Sequence, residues 1–155
     1  MLFIKLSGAA LIIGAGFLGG RYFSQNLKLR CSVLESIIFA ANFLKEQMVC
    51  FRYEIDTIYA NLLKTGFEKE LLLFLTEDKS EQNFCFLTDR DKKIAKELFL
   101  NIGMSDLKSE EERILVYIKL LSDELNSAKE DYEKKQKLYK NVGTFLGIGI
   151  AILFI

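Results

Sequence analysis

Histidine and proline are both absent from the chain. Without histidine, the commonest general base and the commonest metal ligand are missing. Without proline, nothing forces a helix to kink, which favours uninterrupted helices. There is no G-x-x-x-x-G-K-[ST] loop, no G-x-G-x-x-G and no G-x-S-x-G, so phosphate cradles and nucleophile elbows are missing as well. Cys31, Cys50 and Cys85 have neither paired nor metal-type spacing and read as ordinary buried thiols in a reducing compartment. A search for paired catalytic carboxylates finds only Glu130 beside Asp131, in a solvated helical charge run. These absences argue against an enzyme: no catalytic residue, cofactor or metal ligand is expected.

Charge is scarce at both ends of the chain. From Met1 to Gly20 the only charged side chain is Lys5, and from Val142 to Ile155 there is none. Basic residues cluster at the inner edge of each run: Arg21, Lys28 and Arg30 after the first, and Lys134, Lys135, Lys137 and Lys140 before the second. The first run meets the roughly 20 residues that cross a bilayer. The second rises only about 21 Å, so it spans only if Leu138 and Tyr139 join it while Lys137 and Lys140 snorkel to the headgroups. A half-inserted anchor is the alternative. Lysine and arginine in short flanks are retained on the cytoplasmic side, which places both termini outside and the middle in the cytosol. A cleaved secretory signal fits the first run less well, because no convincing A-x-A site follows it.

The expected organisation is therefore all-α, with an N-terminal transmembrane anchor over 1–25, a cytosolic helical bundle over 26–137 and a C-terminal anchor over 138–155. Gly16 and Gly20 in the first anchor, and Gly143, Gly147 and Ala151 in the second, repeat at fourfold spacing. Such small faces let membrane helices approach closely, on each other or on other subunits.

The middle carries two heptad stripes. One runs through Leu34, Ala41, Met48, Ile55 and Leu62 with Ile37, Leu44, Phe51 and Ile58; the other through Ile114, Leu121 and Ala128 with Ile118, Leu125, Tyr132 and Tyr139. They are natural partners in an antiparallel hairpin, though separate amphipathic helices in a bundle would bury the same residues. Between them, Gly66 is expected to end the first helical region, Phe67 to Leu75 to form a brief helix, and Thr76 to Phe84 to form a loop. Thr88 with Asp91 should open a helix that stops at Gly103, and Ser109 with Glu112 forms an S-x-x-E box able to start or re-cap the last helix.

Acids outnumber bases from Asp106 to Glu133. Such a surface repels nucleic acid and suits a basic protein partner; a merely solvated face is the bland alternative.

Several segments together resemble the stage III sporulation protein AB family of endospore-forming bacteria. Lys5-Leu6-x-Gly8-Ala9-x-Leu11-Ile12-Ile13-x-Ala15 looks like its first anchor. Phe99-x-x-Ile102-Gly103-x-Ser105-Asp106 looks like its signature before the last long helix, and Tyr132-Glu133-Lys134 through Gly143 to Ile155 like its closing helix and anchor. The chain departs from the family at Phe51-Arg52-Tyr53-Glu54-Ile55, where a turn with glycine and Thr-Pro is usual, and at Ser109-Glu110-Glu111-Glu112, where glutamine tends to follow. The first departure leaves open whether the first long helix is broken near Tyr53.

The resemblance implies a membrane component of the channel apparatus between mother cell and forespore, on the mother-cell side of the outer forespore membrane. It also implies a cytosolic domain similar to type II secretion and type IV pilus platforms, and a partner in the secretion-type ATPase of the same operon. The expected function is a non-catalytic platform subunit that docks this ATPase and joins it to other channel membrane proteins. Asp106, Glu110 and Glu111 are the expected contacts, with Gly103 and Ser105 shaping the turn. A self-associating membrane coiled coil with no motor partner is the alternative.

Overall fold

The computed structural model of the chain describes residues 25–77, 81–103 and 106–154, and every regular element among them is helical. Helix α1 covers residues 25–46 and continues into a π-helical turn, Gln47–Phe51. Four helices follow: α2 (Ile55–Lys64), α3 (Lys69–Glu77), α4 (Asp89–Leu100) and α5 (Leu107–Phe154), with a short 3-10 turn, Glu81–Phe84, between α3 and α4. The described residues fall into two compact units, Arg30–Ser127 and a second made of residues 25–29 with 128–154.

In the Arg30–Ser127 unit the path of the chain follows from a few contacts. Arg30 on α1 meets Glu124 on α5, and Ile55 at the start of α2 lies against Gly103, just before α5. Helix α1 therefore runs antiparallel to α5. Asp91 near the start of α4 also meets Arg30, so α4 runs alongside α1 in the same direction, whereas α2, whose Ile55 lies against Gly103 and whose Tyr59 hydroxyl donates to the Phe99 carbonyl at 3.5 Å, runs back against α4. Burial pushes the Tyr59 phenol up to about 12, with the charge of Asp56 adding to it.

The seam predicted from heptad spacing forms the core on both sides of one break. Leu34, Ile37, Ala41, Leu44, Ile58 and Leu62 are fully buried, as is Leu121, with Ile114 close behind. Burying each large aliphatic side chain contributes about 1.5–3 kcal/mol. Ile118 and Leu125, in the second seam position, are half-buried. Between Met48 and Ile55 the first seam fails: Met48 and Ile55 are half-buried and Phe51 is 55% exposed.

The cause is local. The π turn carries an extra residue per bond-closed ring, which rotates the following side chains off the stripe. Arg52 then adopts the left-handed conformation (φ 53°) and Glu54 is extended (φ −65°, ψ 148°) before its carbonyl accepts from Ile58 N at 3.0 Å. The first long helix is thus broken after Phe51, which settles the question left open at Phe51–Ile55. An arginine holds the positive φ that glycine would adopt without steric cost.

Other terminators agree with the sequence or refine it. Gly66 (φ 90°) ends α2. Helix α3 reaches Glu77, beyond the expected Leu75, and part of the expected loop winds into the 3-10 turn, because Phe84 packs on Phe74 with ring centroids 4.7 Å apart. Thr88 and Asp91 form both halves of the capping box that opens α4. The cysteines depart from the expectation of buried thiols: Cys50 and Cys85 are exposed and Cys31 is half-buried.

Among the described residues, no helix is long and apolar enough to cross a membrane. The first anchor, with Gly16 and Gly20, lies outside the described residues but for its last position. Gly143, Gly147 and Ala151 fall on the helical backbone of α5, where no side chains are described. In the second unit Lys134 bridges Glu130 one turn away at 3.0 Å, while Leu138 and Val142 are exposed.

Candidate docking surface at the α4–α5 turn

Helix α4 ends at Leu100, and the chain turns through Asn101 to Gly103. Gly103 has φ 81°, a backbone conformation that favours glycine, and a Cβ there would displace the tip of the Ile55 side chain. Ser105 lies outside the described residues. Asp106 then opens α5: its Oδ2 accepts from the Ser109 backbone N–H at 3.3 Å and its carbonyl from Glu110 N at 2.9 Å. Hydrogen bonds from Ser109, side chain first and backbone second, hold the Asp106 carboxyl below its ordinary range although it is exposed. The cap is therefore Asp106, three residues ahead of the predicted Ser109 box. Ser109 supplies the donor where it was expected to accept.

Glu110 is not on the surface. It is only 1% exposed; its Oε1 accepts from the Gly103 N–H at 3.3 Å and from the Arg113 guanidinium. Arg113 reaches on to the Glu97 and Leu98 carbonyls at the end of α4, at 3.4 and 3.3 Å. These are carbonyls that the end of a helix leaves unpaired. Glu110 and Arg113 thus fasten the last turn of α4 to the first turn of α5, and Glu110 meets no partner protein while that fastening holds. The signal in the sequence was its position four residues before Ile114, on the face that Leu121 continues. Of the three expected contacts, Asp106 is exposed and Glu111 half-buried, and Glu112 beside them is exposed.

A second ionic cluster escaped the sequence reading. Arg30, counted there among the cations flanking the membrane, is 8% exposed. Its Nε and Nη2 donate to the two oxygens of Asp91 at 2.7 and 3.0 Å, and Nη2 also reaches Glu124 Oε2 at 3.3 Å. The other Glu124 oxygen meets Arg90 at 2.8 Å. Asp91 accepts the Thr88 N–H at 2.9 Å in addition. Burial raises its pKa, but the bonds from Arg30 and Thr88 outweigh that and hold the carboxyl below its ordinary range. One buried carboxylate therefore caps α4 and ties it to α1, while Glu124 brings in α5. Nothing here resembles a catalytic pair, since each acid is matched to an arginine. Among the described residues no group of acids and cysteines is placed to hold a metal ion.

The family model for stage III sporulation protein AB matches residues 74–155. The match takes in the end of α3, the Asp91 cap, the Gly103–Asp106 turn and all of α5, and leaves the chain before Phe74 outside. No curated protein and no solved structure matches the chain. With more than half of its length matched, the chain belongs to the stage III sporulation protein AB family.

Proposed function

We propose that this chain is a membrane-anchored, non-catalytic platform subunit of the sporulation channel apparatus, whose helical unit docks a secretion-type ATPase in the cytosol. The observation that carries this reading is the family match over the turn and last helix. Three features support it. The apolar runs at 1–20 and 142–155 with basic inner edges suit two anchors and an inward-facing middle. The exposed acids at the start of α5 suit a basic partner surface. The buried ionic groups of the unit, Arg30, Asp91 and Glu110, are spent on helix joints, as expected of a rigid support. Helix α5 continues to Phe154 without interruption, which gives the docking turn and the closing anchor a common element.

The test is capture. Tagged full-length chain extracted in mild detergent from sporulating cells is expected to retain the ATPase, and to lose it as salt is raised, because exposed charge pairs are screened. Recovery of further copies of the chain without any ATPase would instead support the scaffold reading.

A further inference from the structure

The break between α1 and α2 leaves two aromatic rings on the surface. Phe51 and Tyr53 are 55% and 47% exposed and stack with centroids 5.6 Å apart and planes 8° from parallel. Neither ring packs into the core, and the backbone that presents them is a π turn followed by a left-handed arginine. The corner also has a fixed neighbour. Ile55, two residues after Tyr53, lies against Gly103, so the aromatic pair and the α4–α5 turn share one end of the unit.

Charge at that end has one sign in excess. Glu54, Asp56, Asp106 and Glu112 are exposed there, against Arg52 and Lys108. Stacked rings within a field of carboxylates favour cations, which bind ring faces and acids together. Anionic lipid headgroups and nucleic acid phosphates would be repelled by the same field.

We propose that the Phe51–Tyr53 corner and the adjoining start of α5, with Asp106 and Glu112, form one docking surface, and that its occupant is a lysine- or arginine-rich segment of a partner protein. This rests on the platform reading, under which the segment belongs to the ATPase. The rings supply the anchors and the acids supply orientation and encounter rate. The aromatic half lies on the part of the chain outside the family match.

The chain carries its own reporter. Cys50 is exposed next to Phe51, and Cys85 is exposed before α4. The two ends of α4 are roughly 18 Å apart, so the second thiol serves as a remote control. Full-length chain, alone and with purified ATPase, would be alkylated with a maleimide and each cysteine read by peptide mass, beside capture by the double variant Phe51→Ala, Tyr53→Ala. The expected result is slowed alkylation of Cys50 but not Cys85 when the ATPase is present, and a loss of about tenfold or more in retention by a variant with unchanged circular dichroism.

Retention at wild-type strength by the variant, with Cys50 still reactive in the complex, overturns the docking surface and leaves the platform reading standing. Failure of the wild-type chain to retain the ATPase overturns the platform reading, and the assignment of the segment with it. Protection of Cys50 without ATPase, on raising the chain concentration or adding phosphatidylglycerol vesicles, assigns the corner to a second copy or to lipid and overturns the proposal.

Discussion

Replacing Asp91 by alanine is expected to destabilise the protein by about 3–5 kcal/mol, the usual consequence of leaving a buried charge without its partner. Arg30 would lose both bonds to the carboxylate, and its longer contact with Glu124 is one that Arg90 already shares. The Thr88 N–H would lose its half of the capping box as well. Thermal melting of the full chain in detergent, followed by circular dichroism, measures this. The double change Arg30→Met with Asp91→Leu removes both charges and should cost markedly less than Asp91→Ala alone, because a buried pair offers little net stability over apolar side chains of similar volume. Equal losses in the two variants would show that the cap, and not the ion pair, holds α4.

The same carboxylate sets an acid limit. Its folded-state pKa lies below the ordinary value, so the stability it contributes is present above about pH 4, the unfolded carboxylate value, and disappears as pH falls through the folded-state value. In Asp91→Asn that part of the acid dependence should be absent.

Two neighbouring glutamates should behave in opposite ways. Glu110→Lys places a cation against Arg113 in a site that is almost wholly buried and removes the acceptor for the Gly103 N–H. The expected cost is about 3–5 kcal/mol, with the α4–α5 turn opening. Glu111→Lys alters a partly exposed charge whose contribution to stability is below about 1 kcal/mol, so its melting should be near normal while capture of the ATPase weakens. Comparing melting and capture for the two variants separates fastening from docking. A Glu110→Lys chain that melts like wild type would contradict the buried geometry.

Much of this architecture was legible in the residues. Periodic apolar positions found the core at Leu34 to Leu44, at Ile58 and Leu62, and at Ile114 and Leu121. Thr88 with Asp91 marked the start of α4, and glycines marked two ends. The break after Phe51 was harder to see, because neither glycine nor proline signals it and the heptad pattern continues across it unbroken. Capping at α5 was misplaced since Asp106 and Ser109 are both good caps; the choice between them depends on where Gly103 releases the chain.

Glu110 was hidden by its company, as one of three consecutive acids of which only this one turns inward. The Arg30–Asp91 pair joins residues 61 apart, and no period or local motif marks a long-range ion pair. Arg30 was also easy to misread because its position beside an apolar run offers a different use for a cation.

The most direct measurement is the topology of the chain in the membrane. Reporter fusions placed after Lys79 and at each terminus, in cells making the full-length protein, are expected to give a cytosolic signal from Lys79 and extracytosolic signals from both ends. An extracytosolic signal at Lys79 would put the α4–α5 turn and the Phe51–Tyr53 corner beyond reach of a cytosolic ATPase and contradict the platform function.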